Sequence, residues 1–205
     1  NTYTSNTGVG FTINSAITGQ PTKITKYDGT GNITEVSESA DGQTTVNSYT
    51  YHPTGSILSI TQGGNTLISC EYDENGNQTK LTDVDAGVNE YTYDAFGNVL
   101  TQKDARNNTI DNSYDINGRL VIKIQALNGA SNMKLTGYQY KPFYSNGGGN
   151  LEHIVYNDLD NASNSITEDY QYDIDDRIKQ VKKNFEGINY ITQYEYQDYG
   201  RIKSI

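Results

Sequence analysis

The sequence predicts an all-β protein made of tandem antiparallel β-hairpins, and three observations carry that reading. Helix formers are scarce, with 9 Leu, 8 Ala and 1 Met against 23 Thr, 23 Asn and 20 Gly, a balance that favours strands and turns. Tyr-x-Tyr pairs recur at Tyr49/Tyr51, Tyr91/Tyr93, Tyr138/Tyr140, Tyr170/Tyr172 and Tyr194/Tyr196, and residues two apart in a strand share a face. The chain is also periodic: Tyr27, Tyr51, Tyr72, Tyr93, Tyr114, Tyr140, Tyr172 and Tyr196 follow one another at steps of 24, 21, 21, 21, 26, 32 and 24 residues. A period of that size marks a repeat architecture.

Each unit opens with the tyrosine strand. A turn follows, read from Tyr27-Asp-Gly-Thr-Gly-Asn-Ile33, Tyr51-His-Pro-Thr-Gly-Ser-Ile57, Tyr72-Asp-Glu-Asn-Gly-Asn-Gln78, Tyr93-Asp-Ala-Phe-Gly-Asn-Val99 and Tyr114-Asp-Ile-Asn-Gly-Arg-Leu120. The Asp carboxylate accepts backbone N–H groups two residues on, and the glycines Gly31, Gly55, Gly76, Gly97, Gly118 and Gly200 supply positive φ. A second strand comes next, such as Leu120–Ile124, and then a second turn signal: Asp41-Gly42, Gly63-Gly64-Asn65, Ala86-Gly87, Asn107-Asn108, Asn128-Gly129 and Glu186-Gly187. The apolar pairs Ile57/Ile60, Leu151/Ile154, Ile178/Val181 and Ile202/Ile205 are three apart, which strand alternation does not give. Bulges, or strands apolar on both faces, would produce it.

The array is read as one domain over 1–205. A degenerate first unit fills 1–24 from near Tyr3, regular repeats fill 25–140, a longer loop falls at 141–150, and diverged repeats fill 151–205. Asn1 in place of Met, and Ile205 inside an apolar strand pattern, read as a piece cut from a longer protein. Leu, Ile, Val and Phe make up about 20% of the chain, at the border of disorder, and the 18 Tyr supply the missing apolar mass.

The Tyr-Asp-x-x-Gly-[Asn/Arg]-[Ile/Val/Leu] core resembles the YD repeats of the rearrangement-hotspot (RHS) family, which also includes teneurins and bacterial toxin-complex subunits. The motif is sharp from Tyr27 to Leu120. It departs after Tyr140, where Tyr140-Lys-Pro replaces Tyr-Asp and Asp176-Arg177 stands for Gly-Arg. The resemblance implies a curved, open β-hairpin strip, part of the wall of a shell that encloses a C-terminal toxin or other cargo or serves as a rigid surface scaffold. It also implies secretion or display at the cell surface, with the remainder of the parent shell as partner. The family's aspartate-containing autoproteolytic core and a toxin domain are not recognisable in the sequence. Sixteen or so strands of about eight residues would cover about 2,000 Å². That is about a third of the wall needed around a cargo of about 100 residues.

Catalysis, cofactors and metals are not expected. Asp28, Asp73, Asp94, Asp115 and Asp173 recur in phase, and a repeated catalytic residue is redundant, so they read as turn-makers. His52 takes the Asp position of its repeat and His153 lies on a predicted strand; with Cys70 they make a poor nucleophilic set. Asp83/Asp85 and Asp158/Asp160 are the better calcium candidates but fit no EF-hand loop. Gly147–Gly149 lacks the Lys of a phosphate loop and reads as flexible, so Gly147→Ala is expected to cost little beside valine at Gly97 or Gly118. The formal charge of −10 disfavours nucleic acid, and no apolar run is long enough to span a membrane. A glycan-binding adhesin with exposed tyrosine ladders is the alternative. Unpaired end strands are expected to pair with a second copy or fray, more so in salt.

Overall fold

The computed structural model describes residues 2–5, 10–16, 20–127, 131–145, 147–160 and 165–205, and among them every regular element is a strand. The chain forms two compact units, Asn1–Glu90 and Tyr91–Ile205. The first holds β1 (Thr2–Ser5), β2 (Phe11–Ser15), β3 (Thr22–Tyr27), β4 (Ile33–Ala40), β5 (Gln43–Tyr51), β6 (Ile57–Gln62), β7 (Asn65–Tyr72), β8 (Gln78–Asp83) and the start of β9 (Gly87–Tyr93). The second holds the rest of β9, β10 (Val99–Lys103), β11 (Thr109–Tyr114), β12 (Leu120–Leu127), β13 (Ser131–Tyr140), β14 (Leu151–Asp158), β15 (Ile166–Tyr172), β16 (Ile178–Phe185) and β17 (Ile188–Gln193). It ends in a short ladder of β18 (Glu195–Tyr196) and β19 (Ile202–Ser204).

In each unit the strands pair antiparallel with their sequence neighbours, except that β17 does not pair with β18, and this gives the open, unclosed sheet that the hairpin pattern predicts. Two-residue turns close three hairpins at Asp41-Gly42, Gly63-Gly64 and Glu186-Gly187, and both central residues of each have positive φ. That is the type I′ geometry whose twist matches the flanking strands. The Asn128-Gly129 signal lies outside the described residues. Asn107-Asn108 proves to be the end of a five-residue loop that starts at Asp104.

The apolar pairs spaced by three are explained by β-bulges after the tyrosine turns. Thr50 opposes Ser59 but Tyr51 opposes Ile57, so Leu58 is the extra residue and Ile57 and Ile60 face the same way, opposite Tyr51 and Tyr49. The same shift aligns Leu151 with Tyr140 and Ile154 with Tyr138, and Ile178 with Tyr172 and Val181 with Tyr170. Ile205 lies past the end of β19. One face thus gathers tyrosine and aliphatic groups. The other carries polar cross-strand pairs: Lys26–Glu35 at 2.8 Å, Thr50–Ser59 at 2.6 Å, Glu71–Lys80 at 3.2 Å and Thr92–Thr101 at 2.6 Å.

Burial is shallow. Cys70, Ala126, Ile154, Thr12, Thr25 and Thr136 are buried, and among the described residues none is completely so. The repeat tyrosines are half-buried.

Candidate functional site

The residues with chemistry to offer are concentrated in the tyrosine turns. After β3, Asp28 Oδ1 accepts the N–H groups of Thr30 and Asn32, both at 2.9 Å, while Oδ2 accepts Asn32 Nδ2 at 3.1 Å. Two backbone bonds close the loop: Asp28 N–H to Asn32 O at 2.9 Å and Gly31 N–H to Asp28 O at 3.2 Å. The same frame recurs at Asp73, Asp94, Asp104, Asp115 and Asp173. Asn and Arg alternate at the fifth position because either can donate to Oδ2. Asn77 and Asn98 do so through Nδ2, both at 2.9 Å, and Arg119 and Arg177 through Nε at 2.8 and 2.7 Å.

The fourth position needs positive φ. Gly97 and Gly118 supply it at 84° and 75°, as the sequence predicts, while Asn107 and Asp176 hold the same conformation without glycine. His52 substitutes for the carboxylate: its Nδ1 lies 2.9 Å from Thr54 Oγ1 and accepts the Thr54 N–H at 3.4 Å. The loop at Asp104 follows Lys103 rather than tyrosine, so the tyrosine alignment does not reveal it.

These carboxyls titrate low. The Thr30 hydroxyl leads the donors that bring Asp28 down to about 2. The side chains of Asn77, Asn98 and Asn108 do the same, in direction, for Asp73, Asp94 and Asp104, and Arg119 and Arg177 for Asp115 and Asp173.

The tyrosine ahead of each turn reaches back to the unit before it. Its hydroxyl donates to the carbonyl of the first residue after the preceding turn: Tyr51 to Ile33 at 2.7 Å, Tyr72 to Ile57 at 2.5 Å and Tyr114 to Val99 at 2.9 Å. Tyr140 to Leu120 at 2.8 Å, Tyr172 to Leu151 at 2.7 Å and Tyr196 to Ile178 at 2.7 Å continue the series. That carbonyl sits at the bulge, where ladder pairing is interrupted. Burial pushes the phenols of Tyr51, Tyr72, Tyr140 and Tyr172 up, which keeps them protonated as donors.

Residues 72–109, which span the aspartate turns at Asp73, Asp94 and Asp104 and the strands between them, match the family model of the RHS repeat. Those residues carry an RHS repeat. Solved structures share the fold. A crystal structure of TcdB2-TccC3 aligns over 89% of this chain at a TM-score of 0.55 and 11% identity, and one of TcdB2-TccC3-TEV at 0.50 and 12%. The Photorhabdus luminescens Tc holotoxin pore, with a TccC3 variant, aligns over 89% at 0.51 and 11%. The chain spans 12 to 13% of the length of those chains. No curated protein matches it.

The hairpin array accounts for the residues singled out in the sequence. Asp83 Oδ1 accepts the N–H groups of Asp85 and Ala86, capping its own turn. Asp160 holds the Met133 N–H at 2.9 Å, and Asp158 holds the Asp160 N–H at 3.1 Å. Among the described residues no three His, Cys, Asp or Glu side chains are placed to share a metal. His153 pairs with Asp169 across the polar face at 2.6 Å, and Cys70 is buried in β7 opposite Leu81. The tyrosine ladder that a glycan-binding surface would need is half-buried, with its hydroxyls engaged.

The 141–150 loop overturns one expectation. Gly147 is buried at φ 75°, and a Cβ there would lie 2.6 Å from ring carbons of Tyr172; at Gly149 it would lie 2.7 Å from the Phe143 ring. The glycines are present because the space is occupied. The Gly147 N–H donates to Asp176 of the next turn, and Arg119 of the previous turn donates to Gly149 O at 3.2 Å. The Arg119 guanidinium also lies over Tyr140 and Phe143 at 4.3 and 5.1 Å from their centroids. The loop is a tie between two turns.

Three outcomes follow from this geometry. Tyr172→Phe, which removes only the hydroxyl bonded to Leu151, is expected to cost about 1 kcal/mol and lower the melting midpoint by about 2–4 °C; Tyr144→Phe, fully in solvent, is the control and should shift nothing. Gly147→Ala should lower the midpoint more than Gly118→Ala, because both have positive φ but only Gly147 meets a ring. The third outcome concerns acid. A carboxyl held below its unfolded pKa of about 4 stabilises the fold above that value, and the contribution is lost as pH falls through the folded pKa. Thermal melts should therefore be level from about pH 7 to 5 and fall steeply between about 4 and 2, and replacing Asp73 and Asp94 with Asn should lower the plateau and flatten that fall.

Proposed function

We propose that this chain is a non-enzymatic wall segment of an RHS-type shell that encloses a toxin or other cargo, in a protein that is secreted or held at the cell surface. One observation carries the reading. In each unit the groups that could do chemistry, namely the turn aspartates, the Asn and Arg facing them and the tyrosine hydroxyls, are spent on holding the turn or the preceding hairpin. What results is a sheet with a tyrosine face and a polar face and no second layer of its own among the described residues. Such a sheet separates two spaces. The likeness in fold to TcdB2-TccC3 supports the same reading.

Protease protection tests it on the full-length polypeptide that contains this segment. An enclosed cargo would resist a broad protease in the intact protein and be cut once about 4–6 M urea opens the sheet. Cargo cleaved at the same rate before and after unfolding would overturn the enclosing role.

A further inference from the structure

Two turns of the second unit show how this chain holds a guanidinium. At Asp115 the Oδ2 atom accepts both Arg119 Nε at 2.8 Å and Nη2 at 2.6 Å, and at Asp173 it accepts Arg177 Nε and Nη2, both at 2.7 Å. Each guanidinium also lies over the ring of the next repeat tyrosine, Tyr140 at 4.3 Å and Tyr196 at 4.6 Å from the centroid. The ring is there because its hydroxyl is tied to the carbonyl just after the arginine, Leu120 for Tyr140 and Ile178 for Tyr196. Carboxylate and ring thus make a clamp of set geometry.

The turn at Asp94 builds the same clamp around an asparagine. Tyr114 donates to Val99 O at 2.9 Å, the carbonyl just after Asn98, so its ring is anchored as Tyr140 is anchored after Arg119. Asn98 is shorter than arginine, and its Nδ2 stops at Asp94 Oδ2, 2.9 Å away. A carboxylate oxygen can accept two such bonds, and among the described residues Asp94 Oδ2 accepts this one. A recess of about 700 Å³ opens beside it, lined by Asp94, Asn98, Leu100 and Tyr114 and walled by Phe96 and Ile116. Phe96 is 92% exposed and Ile116 fully so. The turns at Asp28 and Asp73 also carry asparagine, but with Gly29-Thr30 and Glu74-Asn75 at their tips they raise no apolar walls.

The charge in the recess is unbalanced as well. Asp115, on its border, is matched by Arg119. Asp94 faces only the neutral Asn98, and among the described residues no Lys or Arg lines the recess. One uncompensated carboxylate, one open acceptor position, two aromatic rings and two aliphatic side chains therefore meet in a space within the usual size range of a ligand site. An ammonium ion would satisfy the carboxylate alone. A guanidinium is planar, so it can lie on a ring while it donates to the carboxylate, and its alkyl stem can run along Leu100 and Ile116.

We propose that the recess between Asp94 and Tyr114 binds an arginine side chain presented by a partner protein, held as Arg119 is held at Asp115. The guanidinium donates to the open position of Asp94 Oδ2 and lies over Tyr114, while Phe96 and Ile116 shield it from water. Arginine seated in a desolvated pocket is a common anchor of protein interfaces. The site belongs to one turn and its neighbour, so it stands whether or not the sheet encloses a cargo.

Titration of this chain with the peptide acetyl-Gly-Arg-Gly-amide at pH 7, followed through amide chemical shifts, tests the site. The shifts of Gly97, Asn98 and Asn117 should saturate. The citrulline peptide, which keeps the shape and loses the charge, should bind about tenfold more weakly, and the lysine peptide about threefold. Asn98→Arg is the decisive variant, because it supplies the guanidinium from within: binding should fall about tenfold or more while the melting midpoint holds or rises. Phe96→Ala, a change confined to an exposed side chain, should weaken binding about threefold with the fold intact. No saturable shift up to about 10 mM arginine peptide, equal binding of the citrulline peptide, or undiminished binding by folded Asn98→Arg would overturn the site.

Discussion

The five-residue connection that follows the tyrosine strand, headed in most repeats by an ionised aspartate, is the feature on which the rest of the structure depends. A five-residue connection between antiparallel strands leaves N–H groups that the ladder cannot pair, and where an aspartate heads it one carboxylate oxygen meets two of them while the other binds the last residue of the connection. The turn then has a fixed shape. The return strand after the tyrosine enters with a bulge in the same place at these turns, and the bulge puts residues of odd spacing on the tyrosine face. That face supplies most of the apolar cover this chain has, so the bulge decides which residues provide it.

The tyrosines solve the second problem, which is cohesion without depth. A single sheet with few aliphatic residues gains little from burial, and a phenol can lay its ring on the sheet and still use its hydroxyl. The hydroxyl goes to the carbonyl that the bulge frees, so turn, bulge and tyrosine satisfy one another. The two aspartate turns that replace asparagine with arginine keep this logic and add a ring contact, Arg119 on Tyr140 and Arg177 on Tyr196.

Much of this was legible in the sequence, and what was hidden has physical causes. Asp-x-x-Gly is local chemistry, so Asp94 and Gly97 announce their roles within four residues. The hydroxyl partners lie 15 to 21 residues back and emerge only once the bulged register is known. The Asp104 loop escaped because it lacks both the tyrosine and the glycine that mark the others. Gly147 was misread for a different reason: a glycine run signals freedom or crowding with equal force, and only the neighbouring Tyr172 ring decides between them.

The backward reach of the tyrosines gives the chain a direction in time. Within each unit a hairpin pairs only with its sequence neighbours, and its stitch ends on a carbonyl already placed by the preceding hairpin. Contacts of this short range make folding fast for a β-protein and nearly one-dimensional, with each unit leaning on the last. During synthesis from the amino terminus, a new hairpin leaving the ribosome therefore finds its docking site complete, and the sheet can lengthen at the pace of translation without waiting for residues not yet made.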